Sequence, residues 1–450
     1  MDKTPDIDEI DVKTSDSNYS ESVDNDQTSQ PTFKSITDIV FKGDKVIWIV
    51  FVILAVISII EIFSASSTLA YKASSHWGPI LRHSLFLLAG FGLILMMHNI
   101  PYRYYSSLIF VLIISVVLLL LTAKFGETVN GSERWLKIFG IKMQPSEIAK
   151  ISLMGTIAFL LSKHDGINDG LLFKWMIGLM VLVTGIIALQ NLSTALLLFL
   201  VCYLMMFIGN VKFTRLLKLS LAGIIFVALF FIALKAIPSS AFDKDGPLKR
   251  FSTWQSRLDK FGDSKYEEGD EKTFAVTKDN YQVAHAKIAI SNGGLVGKFP
   301  GNSTSRDFLP QAYSDFIYAI ILEELGLAGG LLVLMLYVVL LIRSGIIARR
   351  IDQLFPKYLV IGSALMLSIQ ALVNMAVAVN LIPVTGQPLP LVSRGGTSTI
   401  ITCAYFGLIL SADRFSRERK KRKANKAESS DNEEIEEIIN ADEKYKVIHV

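Results

Sequence analysis

Ten stretches of this chain, each roughly 17 to 25 residues long, are almost entirely apolar and match a hydrocarbon layer about 30 Å thick. Because a backbone in lipid must satisfy its own hydrogen bonds, these stretches are expected to be α-helices. No soluble core could absorb a chain with 51% hydrophobic and 19% charged residues whose charges are concentrated in the tails and one loop. The sequence therefore predicts an all-α integral membrane protein with about ten transmembrane helices. They begin near Val46, Leu81, Ser106, Glu147, Trp175, Thr194, Leu219, Ala312, Tyr358 and Pro390.

Lysine and arginine in the short loops indicate the orientation of these helices. With the N-terminus in the cytoplasm, the inside connections are basic, whereas the outside connections at 190–193 and 381–389 hold no basic residue. The segment 124–146 is an exception, because it is predicted to lie outside although it is basic. Its basic residues are Lys124, Arg134, Lys137 and Lys142. The long connection 238–310 is then an extracytoplasmic loop, and loops of that length are usually functional.

The two ends of the chain differ in composition from the apolar middle. Residues 1–40 are acidic and poor in large apolar groups, so we expect a disordered cytoplasmic tail that cannot offset its ordering entropy. This tail lacks the basic start and short apolar core of a cleavable signal peptide, so the first apolar stretch is expected to be retained. Residues 41–414 form the predicted membrane domain. Residues 415–450 form a charged cytoplasmic tail, also expected to be disordered, whose basic part would lie against anionic headgroups or simply be solvated.

Several kinds of site are disfavoured by the sequence. Cys202 and Cys403 lie inside apolar stretches, and the six histidines are scattered, so no disulfide or metal framework is indicated. The segment SNGGLVGK at 291–298 resembles a phosphate loop, but that motif would need glycine at Asn292 and serine or threonine at Phe299. A nucleotide-driven pump is therefore disfavoured, and we expect no nucleic-acid partner. The glycines could still let the backbone approach a ligand closely.

Asp315 is the acid that most needs an explanation. It lies in LPQAYSDFIYAIILEEL, where a long polar region gives way to an apolar helix. An ionisable group at the edge of a membrane span is costly, so it indicates a functional site that faces a cavity or the water interface. Glu323 and Glu324 follow about 12 to 13 Å further along the helix axis, too far to share a proton with Asp315. These two glutamates are expected to be structural or part of a buried polar network.

A second polar segment, NGSERWLKIFGIKMQPSEIAK at 130–150, leads into a predicted helix. Glu147 and Lys150 are spaced to pair across one helical turn. The pair could organise a polar interior or could be a plain ion pair at a helix start. Arg134, beside Trp135, could be an interfacial anchor or a guanidinium offered to a diphosphate.

A third polar region runs from 370 to 398. Gln370 and Asn374 lie on one face of a helix, and three prolines with Gly386 then interrupt the chain before a Ser-Arg-Gly-Gly-Thr-Ser run. The free N–H groups of the next helix and Arg394 could receive an anion. A simple packing break between two spans is the alternative. Within the long loop, LKRFSTWQSRLDKF interleaves basic and aromatic residues and would suit a helix on the membrane surface.

Four of these segments together resemble the motifs of the SEDS family, the shape, elongation, division and sporulation proteins. They are NGSERWLKIFGIKMQPSEIAK, ISNGGLVGKFPGN, LPQAYSDFIYAIILEELG and NLIPVTGQPLPLVSRGGTS. The resemblance is closer to division members than to elongation members. It implies a peptidoglycan glycosyltransferase that polymerises lipid II at the outer face of the bacterial cytoplasmic membrane, at the division septum. Its implied partners are a class B penicillin-binding protein transpeptidase and other membrane proteins of the division machinery.

The resemblance also implies roles for individual residues. Asp315 matches the essential acid of the family. The positions that match its polar, substrate-binding cavity are Arg134, Glu147, Lys150, Gln282, Gln370, Asn374, Ser393 and Arg394. Two departures are visible. The residues at 190–194, Gln-Asn-Leu-Ser-Thr, stand where the family often has Pro-Asp-Leu-Gly-Thr, and Arg394 replaces a frequent tyrosine.

The residue types fit glycosyl transfer from a lipid diphosphate. Such a reaction needs a base for the acceptor hydroxyl and cations to offset charge on the departing diphosphate. Asp315 is placed for the first role, and Arg134, Lys150 and Arg394 are candidates for the second. A divalent cation, Mg²⁺ or Mn²⁺, that bridges Asp315 and the diphosphate is left open, although no multi-carboxylate cage is visible. Two other functions stay open as alternatives: a lipid II translocase, and a non-catalytic scaffold of the division machinery.

Overall fold

The computed structural model describes residues 41–65, 77–129, 132–138, 141–164, 169–236, 280–309 and 312–448, together with Arg257 and Val276. Two predictions lie outside these residues. One is the disordered tail 1–40, and the other is the surface helix in the long loop, of which only Arg257 is described.

A helix occupies the position of each of the ten predicted spans. The helices of the described chain are α1 (Lys45–Ala65), α2 (Trp77–Met97), α3 (Leu108–Phe125), α4 (Pro145–Ser162), α5 (Asp169–Gln190), α6 (Leu192–Ile208), α7 (Phe213–Ala236), α8 (Tyr281–Gly293), α9 (Ile317–Arg350), α10 (Leu354–Ala378) and α11 (Thr397–Ile448). Among the described residues six segments are long and apolar enough to cross a membrane: α1, α2, Tyr102–Phe125, Gly170–Gln190, α9 and α10. Helix α6 is apolar but shorter. The count of ten spans stays a prediction.

Burial differs greatly between these helices. Helix α10 is the most buried of the six candidate spans, whereas α2 is among the least buried and exposes a row of leucines. Helix α10 packs against α4, α6, α9 and α11, so it is the central element on which the polar residues of its neighbours converge. Because apolar side chains at the periphery face no protein, the exposed leucines of α2 are suited to lipid.

The all-α prediction is wrong for one short region between α3 and α4. There the chain forms a three-stranded antiparallel sheet, β1 (Glu127–Val129), β2 (Ser132–Ile138) and β3 (Ile141–Met143), in the order β1-β2-β3. Strands β2 and β3 pair Lys137 with Lys142. Strands of three residues are too short for their alternating pattern to stand out in a sequence. The sheet places Arg134 and Trp135 on β2, which contacts α4.

The prediction of a disordered C-terminal tail is also wrong, because α11 continues from Thr397 to Ile448. Its charged residues favour helix, and two ion pairs span one turn each: Arg414 Nε to Glu418 Oε1 at 3.0 Å, and Arg417 Nε to Asp413 Oδ1 at 2.9 Å. High charge is typical of disorder and of exposed helices alike, so composition alone does not separate the two.

Helix α9 is divided by a break at Gly326, whose φ of +67° and ψ of −170° are not helical. The glycine-rich segment 293–299 lies against this break. Its main chain bonds to that of α9: Phe299 N–H donates to Glu324 O at 2.7 Å, and Leu327 N–H donates to Gly294 O at 3.0 Å. A Cβ at Gly326 would lie 2.5 Å from the main chain of the segment. The glycines of SNGGLVGK therefore serve a close approach between two backbones of this chain.

Candidate active site

A polar cavity of about 250 Å³, here called the site cavity, lies where seven parts of the described chain meet. It is lined by Arg134 and Trp135 of β2, Glu147 of α4, Asn191 and Thr194 beside α6, Gln282 of α8, Arg257, Ser314 and Asp315, and by Gly386, Gln387 and Arg394 from the segment between α10 and α11. Residues that are far apart in the sequence thus share one cavity.

Asp315 lies in the turn 312–316 that precedes α9, with its side chain partly buried. Ser314 Oγ donates to Asp315 Oδ1 at 2.9 Å. Burial raises the pKa of the Asp315 carboxyl, while the Ser314 hydrogen bond and the charges of Arg134 and Arg257 act to lower it. The net effect is a raised pKa, which makes the carboxylate a better proton acceptor than an exposed aspartate.

The wall opposite this carboxylate is formed by Gly386, which has a φ of +67°. A Cβ at that position would lie 3.5 Å from Asp315 Oδ2. Glycine adopts this left-handed conformation without the steric cost that other residues meet. The position therefore keeps the space beside the carboxylate open.

Main-chain contacts hold the turn that carries Asp315. Asn374 Nδ2 of α10 donates to Asp315 O at 2.9 Å and to Gln387 O at 2.7 Å. Ser393 Oγ donates to Ser314 O at 2.6 Å. Asn374 is fully buried and Ser393 is nearly so, so both act on the backbone beneath the cavity. Neither residue lines the site cavity in the described structure, so their contact with substrate stays a prediction.

Lys150 and Gln370 form a second buried support. Lys150, only 1% exposed, lies 2.8 Å from Glu147 Oε1 and donates to Gln370 Oε1 at 3.1 Å. Gln370 Nε2 in turn donates to Pro388 O at 3.0 Å. Lys150 therefore neutralises Glu147 and holds Gln370, and neither Lys150 nor Gln370 reaches the cavity lining among the described residues. The role of Lys150 as a cation for the diphosphate stays a prediction, and its contacts favour a supporting role.

Three guanidinium groups line the site cavity: those of Arg134, Arg257 and Arg394. The guanidinium of Arg394 stacks over the Tyr313 ring, 5.4 Å from its centroid. The main-chain N–H of Arg394 donates to Tyr313 O at 2.9 Å. Arg257 donates to Val384 O at 3.2 Å. Sequence reasoning placed Arg257 in a membrane-surface segment, because interleaved basic and aromatic residues are typical of one. No local pattern indicated that this arginine reaches the cavity.

Residues 190–194, which differ from the common family motif, supply polar groups to the cavity but no carboxylate. Asn191 precedes α6, and its side chain accepts from Thr194 N–H at 3.3 Å. Thr194 Oγ1 accepts from Gln387 Nε2 at 2.7 Å. Both Asn191 and Thr194 line the cavity. The break between α5 and α6 therefore lines the site cavity.

Glu323 and Glu324 lie away from the site cavity and are fully buried. Glu323 accepts from the Lys298 ammonium at 3.3 Å and from Ser303, Thr304 and Ser305. Glu324 accepts from Ser64 Oγ and from Ser303 N–H. These contacts tie the loop before Asp315 to α9. The two glutamates therefore form a buried polar network that holds the loop in place.

The described residues contain no cluster of three or more His, Cys, Asp or Glu side chains that could hold a metal ion. Two acids line the site cavity, and one of them, Glu147, is already paired with Lys150. Asp315 is thus the carboxylate available for chemistry or for one metal ligand. A divalent cation here would depend on oxygen atoms of the substrate for its other ligands.

Proteins of known name are similar to this chain over most of its length. The probable peptidoglycan glycosyltransferase FtsW of Hahella chejuensis is 32% identical, over 79% of this chain and 86% of that protein. Stage V sporulation protein E of Bacillus subtilis is 31% identical, over 83% of this chain and 98% of that protein. The corresponding protein of Geobacter sp. strain M18, also named as a probable FtsW, is 29% identical over 82% and 96%.

Solved structures share the fold. A chain from a structure described as the structural coordination of polymerization and crosslinking by a peptidoglycan synthase complex matches with a TM-score of 0.62 and 23% identity, over 83% of this chain and 98% of that one. The rod shape determining protein RodA of Thermus thermophilus matches with a TM-score of 0.58 and 23% identity, over 83% and 97%. A sequence model for the FtsW, RodA and SpoVE family, described as a cell cycle protein, matches residues 44–418, so this chain belongs to that family, which is the one its motifs indicated.

Proposed function

We propose that this protein is a peptidoglycan glycosyltransferase that polymerises lipid II at the outer face of the cytoplasmic membrane during septal wall synthesis. The observation that carries the proposal is the site cavity, where the carboxylate of Asp315 lies among the guanidiniums of Arg134, Arg257 and Arg394. A base and a group of cations are the two requirements of glycosyl transfer from a lipid diphosphate. The relatives named as probable peptidoglycan glycosyltransferases support the same activity.

The proposed reaction joins two lipid-linked sugars. The acceptor hydroxyl oxygen attacks the anomeric carbon of the donor, and the bond between that carbon and the diphosphate oxygen breaks. The electron pair of the broken bond leaves with the lipid diphosphate, and the hydroxyl proton passes to Asp315. The raised pKa of Asp315 suits this role, because a base whose pKa lies nearer the working pH takes the proton more effectively.

Arg394, which lines the site cavity, would stabilise the departing diphosphate. A guanidinium can donate two parallel hydrogen bonds to phosphate oxygens, which an ammonium does not reproduce. Arg394 lies in the segment before α11, and Arg134 of β2 lines the same cavity. If Mg²⁺ or Mn²⁺ binds together with the substrate, it would neutralise part of the same charge, with Asp315 as its protein ligand.

The partner proposed for this enzyme is a class B penicillin-binding protein, which would crosslink the strands that it makes. The similarity to a chain from a complex that coordinates polymerization and crosslinking supports this pairing. The septal role, and with it the contact with other division proteins, rests on the FtsW name of the relatives. The bacterial inner membrane is the location that such a substrate requires.

The decisive experiment uses the purified full-length protein and lipid II, with and without its partner. Glycan strands that form with wild type and not with Asp315→Asn would support the proposal. Lipid II that crosses the bilayer of proteoliposomes without being joined would instead indicate a translocase. Normal division in cells that carry Asp315→Asn would indicate a scaffold.

A further inference from the structure

A second cavity, here called the side cavity, adjoins the site cavity and has a volume of about 330 Å³. The two cavities share a wall formed by Trp135, Arg394 and Gly395. The outer wall of the side cavity is formed by Arg82, His83 and Phe86 of α2 and by Lys142 of β3. None of the reaction chemistry described above uses this second space.

The charges of the two cavities differ. The site cavity contains the acids Asp315 and Glu147, whereas the described lining of the side cavity contains cations and no acid. Burial lowers the pKa of Arg394, the Tyr313 ring beside it acts to raise it, and the nearby charge of Arg82 lowers it further. Two guanidiniums that face the same space without a carboxylate between them form a favourable place for an anion.

His83 supplies a second, independent sign of a ligand. Its side chain is 2% exposed, and its Nδ1 atom is buried with no hydrogen-bond partner in the described part of the chain. Ser58 Oγ lies 2.8 Å from His83 Nε2 and donates its one hydrogen to Val392 O at 3.0 Å. His83 Nε2–H must therefore donate to Ser58, which leaves Nδ1 as an acceptor. A buried acceptor on a cavity wall needs a donor, such as a sugar hydroxyl or acetamido N–H.

The surroundings of α2 suit a lipid chain. Leu81, Leu85 and Leu88 are exposed on the same helix that presents Arg82, His83 and Phe86 to the side cavity. An anion held in this cavity could thus carry an apolar tail that leaves along the lipid-facing side of α2. The same helix would contact the head and the tail of one ligand.

We infer that the side cavity binds the diphosphate of the donor lipid-linked sugar, while the site cavity binds the acceptor. This inference rests on the proposed function. The anomeric carbon would lie at the shared wall, next to Arg394, with the acceptor hydroxyl between it and Asp315. When the bond between that carbon and the diphosphate oxygen breaks, the electron pair moves with the diphosphate onto the Arg82 side.

The test measures binding of undecaprenyl diphosphate to the full-length protein in nanodiscs. Arg82→Gln and Lys142→Gln should each weaken binding by about tenfold or more, the usual effect of losing a charge-assisted hydrogen bond. Lys137→Gln is the matched control, because Lys137 pairs with Lys142 across the hairpin but does not line either cavity among the described residues. Arg82→Lys keeps the charge and should retain part of the affinity. A thermal melt of each variant shows that it is folded.

A second arm adds excess phosphatidylglycerol, which should not displace the diphosphate. Wild-type affinity in both glutamine variants, or ready displacement by phosphatidylglycerol, would overturn the inference and in the second case indicate a headgroup site. Binding is measured without turnover, so the two proposals can fail separately. If the wild type polymerises lipid II but Arg82→Gln binds undecaprenyl diphosphate normally, only the side-cavity inference fails. If binding depends on Arg82 but the wild type does not polymerise lipid II, only the proposed function fails.

Discussion

The buried amide of Asn374 donates a hydrogen bond to the main-chain carbonyl of Asp315, with 2.9 Å between the nitrogen and the oxygen. The same nitrogen lies 2.7 Å from Gln387 O, so one side chain of α10 joins the turn that carries the carboxylate to the segment that faces it. The distance between the base and its opposite wall is therefore set by a residue that does not line the cavity.

Substitution of Asp315 by asparagine should abolish most of the polymerisation. Removal of a general base lowers a rate by about 10² to 10⁴. Asparagine is nearly the same size, so the thermal midpoint should change little. Asp307→Asn is the control, because Asp307 is an exposed aspartate shortly before the same turn. Lipid II turnover by the purified variants is the measurement, and near-normal strand synthesis by Asp315→Asn would remove this residue from the role of base.

The rate should depend on pH through the ionisation of Asp315. The proton acceptor must be ionised, so activity is lost as the pH falls through a pKa that burial has raised. The charge of Arg257 counteracts this rise, so Arg257→Gln should move the acid limb of the profile to higher pH. Arg349→Gln, an exposed change at the far end of α9, should leave the limb in place. A limb that moves to lower pH in Arg257→Gln would contradict the assignment.

Asn374→Ala should lower both stability and kcat. The change leaves Asp315 O and Gln387 O without this donor, and an unsatisfied buried group costs about 1 to 3 kcal/mol. Because Asn374 positions the base and does not line the cavity, kcat should fall more than KM rises. Gln353→Ala, which removes a partly buried amide beside Tyr102, provides the comparison. A KM effect alone would indicate direct substrate contact instead.

Lys150 and Glu147 should behave as one unit in a double-mutant cycle. Lys150→Met leaves the Glu147 carboxylate without its buried partner and should destabilise the protein by about 3 kcal/mol. The double variant Lys150→Met with Glu147→Gln should recover much of that loss. Denaturation of the single variants Lys150→Met and Glu147→Gln and of the double variant, in the same detergent, measures the coupling. Additive losses would show that the pair is not a coupled element.

Gly326→Ala should be strongly destabilising, because the residue has a positive φ and a Cβ there would meet main-chain atoms at 2.5 Å. Gly345 lies further along α9, and nothing lies within 4 Å of the Cβ position there. Gly345→Ala should therefore be neutral or stabilising by up to about 1 kcal/mol. A thermal melt of both variants compares the same substitution at two positions of one helix. Equal melting temperatures would contradict the close contact at the break.

The positions of the helices and the choice of Asp315, which lines the site cavity, followed from the sequence, because apolar length and an acid beside an apolar run are local signals. The sequence did not distinguish the residues that line the cavity from those that support its walls. A polar residue inside an apolar helix must find a hydrogen-bond partner, and Gln370 and Asn374 bond to main-chain carbonyls. The spacing of these residues in the sequence would be the same if their partner were a substrate. Arg257 was missed for a related reason, since its contact with Val384 O joins segments that no pattern connects.

The cavity wall beside Asp315 is formed by the main chain of Gly386, and this limits how the site can evolve. A wall made of side chains can be reshaped by single substitutions, but the wall that faces Asp315 Oδ2 is a glycine in a conformation that other residues rarely adopt. New substrate preferences would therefore have to arise on the opposite side, through Arg134 of the hairpin or Gln282 of α8. An inhibitor could fill the space over Gly386. Resistance through a larger side chain at that position would be difficult to obtain, because the backbone conformation there disfavours other residues.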